Sequence, residues 1–480
     1  MTDSTVHDGA TTLIDGEWAD PVARRPVTNP ADGTLVGSVG YGGTTEAERA
    51  ADAAQAALPG WADTSPRARA DLLTAAGGLL TERAEHIAWV LACESGKRLP
   101  EARGEVGLAA EYFRWFAEEI RRPDGAVLPP EKPGRRQLTI HRPIGVVASL
   151  TPWNFPVSIQ ARKLAPALAA GCTVVARASE KAPLSVVELV RCLHDAGFTD
   201  GAVNLVHGPA GELTGALLDH PAVRAVSFTG STEIGTRVMA GAAGRVVRPL
   251  LELGGDAPFI VFPDADVDAA VEGAMLAKFR NNGESCIAAN RFFVHEAVYD
   301  EFVGKLVERV DAMTVGNPLA DPTPDLGPLI DDEQARTVTA MIEESLAAGA
   351  RRLTRERELP TGGSYAAPTL LADVAEKSPF ACEEIFGPAA GVFRFTDEEE
   401  VLARANATEM GLAAYAYTRD IGRVWRLGER LDAGIVGINE ALPSAVYVPM
   451  GGVKRSGLGR EGARTGLEEF QETRYLCVGL

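Results

Sequence analysis

The chain has 480 residues, of which 46% are apolar and 24% charged, a composition typical of a globular protein with two or three domains. Its formal net charge of −19 argues against a nucleic-acid partner, because phosphate backbones are bound by basic faces. The cysteines form no CxxC pair and no metal-ligand spacing, which predicts reduced thiols, no metal site and a cytoplasmic location. They are Cys93, Cys172, Cys192, Cys286, Cys382 and Cys477.

The start of the chain, Met1-Thr2-Asp3-Ser4, has neither the basic nor the apolar region of a signal peptide. In addition, no apolar run reaches the ~20 residues that a membrane span needs. We therefore expect a protein without a membrane partner.

The first 45 residues indicate short strands and turns, and three helical patterns follow over 45–58, 66–82 and 100–120. Thr45 and Glu48 predict a capping box for the first helix, and Ser65-Pro66 predicts the start of the second. The segment 121–142 is rich in Pro, Gly and charge and contains one alternating run. We expect this segment to leave the domain as an excursion.

From Gly145 onward, short apolar runs alternate with helical patterns. The runs cover 146–150, 173–176, 203–206, 225–228 and 250–253, and the helices lie near 157–170, 183–196, 211–219 and 232–242. This alternation predicts an α/β fold with a doubly wound, mostly parallel sheet. Nucleotide binding is a common use of that fold, although the fold alone does not establish it. A second alternating region follows over 257–446, with strands at 259–261, 291–294 and 413–417.

Three local sequences carry residues suited to chemistry at a carbonyl group. Cys286 ends the polar run Asn281-Asn282-Gly283-Glu284-Ser285, Glu252 precedes Gly254-Gly255 after an apolar run, and Asn154 lies between two prolines. A thiol, a carboxylate and an amide supply a nucleophile, a base and an oxyanion donor. Each residue alone also has a structural explanation, as an inert core thiol, a surface acid and a turn amide.

Together and in this order, these sequences resemble the aldehyde dehydrogenase superfamily, from about Leu13 to Leu480. The resemblance implies a Rossmann-type cofactor domain, an α/β catalytic domain and a small oligomerisation element. The cofactor domain is expected over 1–120 and 143–254, the catalytic domain over 255–447, and the oligomerisation and C-terminal segment over 121–142 and 448–480. A homodimer or homotetramer is expected.

The resemblance also implies NAD(P)-dependent oxidation of an aldehyde to a carboxylic acid through a cysteine thioester. Cys286 would attack the aldehyde, Asn154 and the Cys286 N–H would stabilise the oxyanion, and Glu252 would activate the water that hydrolyses the thioester. No metal is needed. Two alternatives from other classes are a Cys-His hydrolase, for which the histidines show no pattern, and a non-catalytic use of the fold.

Two sequences resemble the family's cofactor motifs. Gly230 and Ser231 lie in a turn between a strand and a helix, where backbone N–H groups could hold a pyrophosphate. Trp153, which precedes the Asn154 amide, is also expected to contact the cofactor. Glu384 and Phe386 match the family motif at the nicotinamide ribose. A plain helix cap and a Gly-Pro turn are the structural alternatives.

Arg177 and Glu180 resemble the family segment at the adenosine ribose, with Arg177-Ala178 where many relatives have Lys-Pro. The Arg177 fork could grip a 2′-phosphate, whereas the Glu180 carboxylate would accept a ribose hydroxyl and repel a phosphate. We expect a preference for NAD, with NADP as the alternative.

Within the superfamily the chain most resembles succinate-semialdehyde dehydrogenases, through Lys278-Phe279-Arg280-Asn281, Gly457–Gly462 and Arg474–Leu480. That resemblance implies that Arg162, Arg280 and Ser444 hold the substrate carboxylate. For either arginine alone, the alternative is a surface ion pair. Glutarate semialdehyde or a broad range of aldehydes is the alternative substrate, because one methylene changes binding by only ~1–3 kcal/mol.

Overall fold

A computed structural model describes residues 9–122, 124–320 and 322–480 of the chain. Met1-Thr2-Asp3-Ser4, on which the expectation about a signal peptide rests, lies outside the described residues. In the described part of the chain, no helix is both long enough and apolar enough to cross a membrane.

The helices, in chain order, are α1 Thr44–Asp63, α2 Pro66–Glu82, α3 Ala84–Ser95, α4 Leu99–Glu119, α5 Pro156–Ala170, α6 Leu184–Asp195, α7 Ala210–Asp219, α8 Thr232–Ala243, α9 Val267–Phe279, α10 Glu296–Ala312, α11 Asp332–Ala347, α12 Pro379–Cys382, α13 Glu398–Asn406, α14 Ile421–Arg430 and α15 Ala463–Glu468. Two 3₁₀ turns cover Arg280–Gly283 and Lys454–Ser456.

The strands, in chain order, are β1 Leu13–Ile14, β2 Glu17–Trp18, β3 Arg24–Thr28, β4 Leu35–Gly40, β5 Ala126–Leu128, β6 Arg135–Pro143, β7 Val146–Leu150, β8 Thr173–Arg177, β9 Val203–Val206, β10 Val223–Thr229, β11 Arg248–Glu252, β12 Ala257–Val261, β13 Ala289–His295, β14 Arg351–Arg352, β15 Thr369–Ala372, β16 Ala389–Phe395, β17 Ala413–Tyr417, β18 Ile435–Ile438, β19 Gly457–Leu458 and β20 Gln471–Gly479.

The first sheet has eight strands in the order β19-β11-β10-β7-β8-β9-β1-β2. Strands β7 to β11 are parallel, and Val147 of β7 lies opposite Val174 of β8 and Ala225 of β10. From β7 the chain proceeds to β8 and β9 on one side, then crosses to β10 and β11 on the other. The order therefore reverses between β7 and β10, the place where doubly wound sheets bind ligands. The predicted fold class is confirmed.

Helices cover both faces of the first sheet. One core lies between the sheet and α2, α4, α5 and α6, and another lies beneath α1, α7 and α8. Every residue of β7 and β8 is buried as a result. Strands buried on both faces appear in a sequence as continuous apolar runs, which explains why these strands were predicted closely.

The second sheet has seven strands in the order β14-β15-β16-β13-β12-β17-β18, and only the edge strand β14 is antiparallel. A third sheet, β20-β6-β5, is antiparallel throughout, and its strands β5 and β6 come mainly from the predicted excursion. The division into domains stays a prediction. The short strand β19, from the expected C-terminal segment, pairs with β11 of the first sheet.

Two predictions near the N-terminus are wrong. No Thr45–Glu48 capping box starts α1; instead, the Gly43 N–H donates to Glu46 Oε2 at 2.7 Å. The helix also continues through Pro59 to Asp63, because Trp61 in its last turn is fully buried and packs against Phe198 at 5.4 Å between ring centroids. The helix α3 was missed, since nearly all of its second half is buried and its sequence shows little amphipathic contrast.

Candidate active site

The predicted site residues follow the carboxyl ends of parallel strands in the first sheet. Asn154 lies in the loop after β7, Gly230 and Ser231 follow β10, and Glu252 is the last residue of β11. These ends meet at one edge of the sheet and surround a cavity of about 310 Å³. Eight of the predicted residues line it: Trp153, Asn154, Gly230, Ser231, Glu252, Cys286, Glu384 and Phe386.

The thiol and the carboxylate meet in this cavity. Cys286 Sγ lies 3.5 Å from Glu252 Oε1 and donates a hydrogen bond to it. Burial raises the pKa of Glu252 to about 7, with Arg162 opposing the shift and Glu461 adding to it. Burial, together with Glu252 and Glu384, also raises the pKa of Cys286. The thiol is therefore protonated at neutral pH, and the carboxylate beside it is placed to accept its proton.

The backbone that carries Cys286 is strained and held by side-chain amides. Asn281 and Asn282 adopt left-handed conformations with φ of 52° and 57°, and Gly283 follows at 78°. A non-glycine residue in this region costs free energy, so the surrounding structure must fix it. The Asn282 side chain does so by donating to Pro328 O at 2.9 Å and accepting from Gly327 N at 2.8 Å.

Asn154 is buried and held on several sides. Its Nδ2 donates to Glu284 O at 3.2 Å, and its Oδ1 has no partner within the described residues. Its backbone oxygen accepts from Lys97 Nζ at 2.8 Å and from Asn281 Nδ2 at 3.0 Å. One hydrogen of the Nδ2 group thus fixes the amide, while the second is available to a ligand in the cavity.

A buried ion pair stabilises the loop that carries Asn154. Lys97 Nζ pairs with Glu105 Oε2, and both side chains are almost fully buried. Glu105 Oε1 accepts from the backbone N–H groups of Val157 at 2.9 Å and Ser158 at 3.2 Å, at the start of α5. The ion pair therefore ties the loop of Asn154 to the helix that follows it.

The lining of the cavity fits a dinucleotide. Ser231 caps α8 by accepting from Ile234 N at 3.4 Å, so the turn at Gly230 and Ser231 presents a helix N-terminus to the cavity. Trp153 and Phe386 pack edge to face at 5.3 Å and form an apolar wall suited to a flat ring. Glu384 Oε1 accepts from Gly255 N at 3.0 Å, which leaves Oε2 for a ribose hydroxyl.

Arg177 and Glu180 lie at the end of β8, away from the lining of the Cys286 cavity. Arg177 Nη2 is 3.3 Å from Glu180 Oε1. Glu180 Oε2 accepts from Tyr41 Oη at 3.0 Å and pairs with Arg25. The sequence analysis missed Arg25 and Tyr41, because they belong to a hairpin and loop at the start of the chain and no motif marks them.

The predicted substrate residues divide into two groups. Arg162, in α5, is buried; its Nε lies 2.6 Å from Glu461 Oε2 and its Nη1 contacts Met450 Sδ. Ser444 Oγ lies 3.9 Å from the same sulfur, so Met450 brings Arg162 and Ser444 together. The surface ion pair considered for Arg162 is wrong, because its pair with Glu461 is buried on both sides.

Arg280 is separate from those two residues. Its guanidinium lies 5.0 Å from the centre of the Phe155 ring, beside the loop of Asn154. It also lines a second cavity, of about 520 Å³, with Arg98, Glu101 and Glu440. Among residues 9–122, 124–320 and 322–480, no group of three or more His, Cys, Asp or Glu side chains is placed to hold a metal ion.

Comparisons with known proteins agree with this site. The sequence model of the Aldehyde dehydrogenase family matches residues 18–476 of the chain. The chain is 45% identical over 469 residues to a glutarate-semialdehyde dehydrogenase of Pseudomonas putida, covering 97% of both chains. It is also 45% identical over 470 residues to an NADP(+) succinate-semialdehyde dehydrogenase of Escherichia coli, covering 98% of this chain and 97% of that protein.

Solved structures show the same architecture. A succinate-semialdehyde dehydrogenase from Burkholderia pseudomallei superposes with a TM-score of 0.97 at 44% identity, covering 100% of both chains. An NAD+ complex of an aldehyde dehydrogenase from Bacillus cereus gives a TM-score of 0.96 at 32% identity, covering 99% of this chain and 98% of that chain. The superfamily expected from the motifs is confirmed. The chain belongs to the aldehyde dehydrogenase family.

Proposed function

We propose that the protein oxidises a short aldehyde with an anionic tail, succinate semialdehyde first, to the corresponding acid with NAD or NADP. The observation that carries the proposal is the 3.5 Å contact between Cys286 Sγ and Glu252 Oε1 in a cavity that also holds Asn154 and the Gly230–Ser231 turn. A nucleophile, a base and an oxyanion donor therefore lie in one cavity with residues suited to binding a dinucleotide.

The first step forms a carbon–sulfur bond between Cys286 and the aldehyde carbon and gives a tetrahedral hemithioacetal. Glu252 accepts the thiol proton as Cys286 Sγ attacks the aldehyde carbon. The oxygen that becomes negatively charged accepts hydrogen bonds from Asn154 Nδ2 and the Cys286 N–H. Since Glu284 O already fixes the orientation of the Asn154 amide, the second hydrogen of that amide is preorganised for the oxyanion.

Trp153, Gly230, Ser231, Glu384 and Phe386 would hold the dinucleotide, which would accept the hydride that leaves the tetrahedral carbon. Cys286 then carries the acyl group as a thioester. Glu252 first releases the thiol proton to solvent and then removes a proton from the water that attacks this thioester. It returns that proton to the Cys286 sulfur as the carboxylic acid leaves. A pKa of about 7 suits a residue that must accept and release a proton at neutral pH.

The substrate proposal depends on a buried guanidinium. Glu461 opposes the effect of burial on Arg162 and raises its pKa, so this side chain stays charged. Its Nη2 is buried without a partner within the described residues, and a substrate carboxylate would supply one. Ser444, which contacts Met450 as Arg162 does, would add a hydroxyl. Arg280, which lies beside Phe155 and apart from those two residues, would supply a second cation.

Relatives support an anionic tail. Proteins 44–45% identical to this chain are named for succinate semialdehyde, glutarate semialdehyde and 3-sulfolactaldehyde, all of which carry an acidic group a short distance from the aldehyde. Glutarate semialdehyde is the second candidate, because the unbranched Met450 side chain between Arg162 and Ser444 can change rotamer to admit one more methylene.

A steady-state comparison tests the proposal. We expect kcat/KM for succinate semialdehyde and glutarate semialdehyde to exceed that for butanal, which has a similar length and no charge. The reaction is followed by the absorbance of the reduced cofactor, with NAD and with NADP. Equal values for all three aldehydes would contradict the proposed substrate class, and no turnover would contradict the proposed activity.

We also propose the domain division expected from the family, a cytoplasmic location, and a dimer or tetramer joined through the β20-β6-β5 sheet. Val127, Ile140, Tyr475, Val478 and Leu480 of this region are exposed, and an apolar strand left unpaired favours aggregation. Light scattering on the purified protein tests the assembly, and a monomer would contradict it.

A further inference from the structure

An arginine from the N-terminal hairpin reaches the expected ribose end of the cofactor site. Arg25 lies in β3 and pairs with Glu180 Oε2, from the loop that follows β8. Its Nη1 also lies 3.4 Å from Tyr41 Oη, and its guanidinium lies 5.6 Å from the centre of the Tyr41 ring. Arg25 is thus attached to Glu180 both directly and through Tyr41.

The charges around Glu180 do not cancel. Its Oε1 faces Arg177 and its Oε2 faces Arg25, so two guanidinium groups surround one carboxylate and leave a net positive charge. Arg177 is only 8% exposed, and its Nε has no hydrogen-bond partner within the described residues. A buried N–H without a partner favours an additional acceptor at this place.

Because Arg25 and Arg177 both pair with Glu180, we do not expect Glu180 to repel a phosphate. A free carboxylate near the ribose accepts a 2′-hydroxyl and repels a 2′-phosphate, but a carboxylate held by two arginines has its charge more than compensated. An arginine fork also binds phosphate oxygens directly. The sequence-based preference for NAD took account of Arg177 and Glu180 but not of Arg25.

We propose that Arg25 is a specificity-determining residue that allows the ribose site to accept the 2′-phosphate of NADP as well as the 2′-hydroxyl of NAD. This inference rests on the proposed function, since it places the adenosine ribose at Arg177 and Glu180. Arg25 compensates Glu180 and offers its remaining N–H groups to the phosphate, while Arg177 does the same from the other side.

The test uses binding without turnover. The fragments 2′,5′-ADP and 5′-AMP differ at the ribose in the 2′-phosphate, and isothermal titration calorimetry gives their Kd values. In Arg25→Ala, we expect 2′,5′-ADP to bind about tenfold more weakly, which is the scale of one charge-assisted hydrogen bond. Binding of 5′-AMP should change less than about twofold, because it presents no phosphate to Arg25.

Arg24→Ala is the matched control. Arg24 is adjacent in β3 and comparably exposed, but it contacts Asp20 and Ser38 instead of Glu180. Both fragments should bind this variant as they bind the parent protein. A second variant, Arg25→Gln, keeps hydrogen bonding without the charge and should show the same loss for 2′,5′-ADP as Arg25→Ala. Circular dichroism establishes that each variant is folded.

The outcomes separate the inference from the proposed function. If the Arg25 variants bind 2′,5′-ADP as the parent does, or lose both fragments equally, the inference is wrong, whatever the parent protein oxidises. If they lose only 2′,5′-ADP, the inference holds at the level of binding. The kcat/KM ratio of NADP to NAD should then fall by the same factor, and failure of the parent to oxidise any semialdehyde would contradict the proposed function alone.

Discussion

The proposed catalytic end of the site, around Cys286, and the proposed ribose end, around Glu180, both contain ion pairs, but the exposure of these pairs to water differs. At the catalytic end, Glu252, Arg162 and Glu461 are 1%, 6% and 3% exposed. At the ribose end, the side chains of Arg25 and Glu180 are 47% and 23% exposed. The same residue types are therefore buried from solvent at the catalytic end and partly exposed to it at the ribose end.

Burial decides what these charges can do. At the catalytic end, a buried carboxyl group loses hydration and its pKa rises, to about 7 for Glu252 and to about 8 for Glu384. At the ribose end, solvent and salt weaken the Arg25–Glu180 pair, because the Arg25 side chain is largely exposed. Substitutions should consequently change proton transfer and bond formation at the catalytic end, and only cofactor preference at the ribose end.

The largest effect is expected at the nucleophile. In Cys286→Ala, aldehyde oxidation should fall by on the order of 10⁴-fold or more, because no covalent intermediate can form. Binding of NAD, measured by calorimetry, should stay close to that of the parent protein, since Cys286 holds no phosphate. Substantial turnover by this variant would exclude Cys286 as the nucleophile.

The next effect concerns the base. In Glu252→Gln, we expect steady-state turnover to fall by roughly 10²- to 10⁴-fold, the usual contribution of a positioned acid or base. Hydrolysis should slow more than acylation, because water is a far weaker nucleophile than a thiol. Rapid-mixing measurements should then show a burst of reduced cofactor before a slow phase. Absence of the burst would mean that acylation depends on Glu252 as strongly as hydrolysis does.

The substrate pocket should give an intermediate effect. Replacing Arg280 by Met should reduce kcat/KM for succinate semialdehyde by an amount equivalent to roughly 1.5–3 kcal/mol, the scale of a hydrogen bond to a charged group, because the Arg280 side chain is only partly buried. Arg162→Lys should act in the same direction, because it keeps the charge opposite Glu461 but loses the planar fork.

Butanal is the control substrate for these variants, and Arg103→Met is the control substitution. Arg103 is exposed and pairs with Glu85 on the surface, so its loss should change neither substrate. If the Arg280 and Arg162 variants lose activity toward butanal as strongly as toward succinate semialdehyde, these arginines support the fold, and the proposed substrate class is wrong.

The pH dependence of turnover should reflect Glu252. Its pKa rises from 4.5 to about 7 in the folded protein, and it must be ionised to act as a base. The rate of thioester hydrolysis should therefore fall roughly tenfold per pH unit below about 7 and level off above it. In Glu252→Gln this acidic limb should disappear. A profile that keeps the limb in the variant would assign it to another group.

The smallest effect is expected at the ribose end. Raising the ionic strength should weaken binding of 2′,5′-ADP several-fold, because the pairs around Glu180 are partly exposed and screened. Thioester hydrolysis, which depends on buried groups, should change much less. Equal sensitivity of both processes to salt would mean that the two ends of the site do not differ as their burial suggests.

The sequence predicted the first sheet and the residues that line the Cys286 cavity better than the groups that hold them. Buried parallel strands such as β7 are continuous apolar runs, and Asn154 and Glu252 follow such runs in recognisable motifs. Lys97 was not predicted, because nothing in its local sequence indicates burial. Glu461 was not predicted, because its partners Arg162 and Lys163 lie far away in the chain. Arg25 was missed for the same reason.

Local rules failed where packing outweighed them. Pro59 and Gly60 favour an end of α1 near Leu58, yet the burial of Trp61 extends the helix. Asn281-Asn282-Gly283 is the opposite case. Gly adopts left-handed backbone freely, and Asn tolerates it better than most other residues do, so the tight turn before Cys286 could have been predicted from sequence.

The central claim is that Cys286 carries the acyl group and that Glu252 releases it. Mass spectrometry of Glu252→Gln, quenched after brief incubation with succinate semialdehyde and NAD, tests this claim most directly. We predict that the peptide containing Cys286 gains the mass of one succinyl group, and that the parent protein shows much less of this species. An unmodified Cys286 peptide, or acylation of the exposed Cys382 instead, would contradict the account.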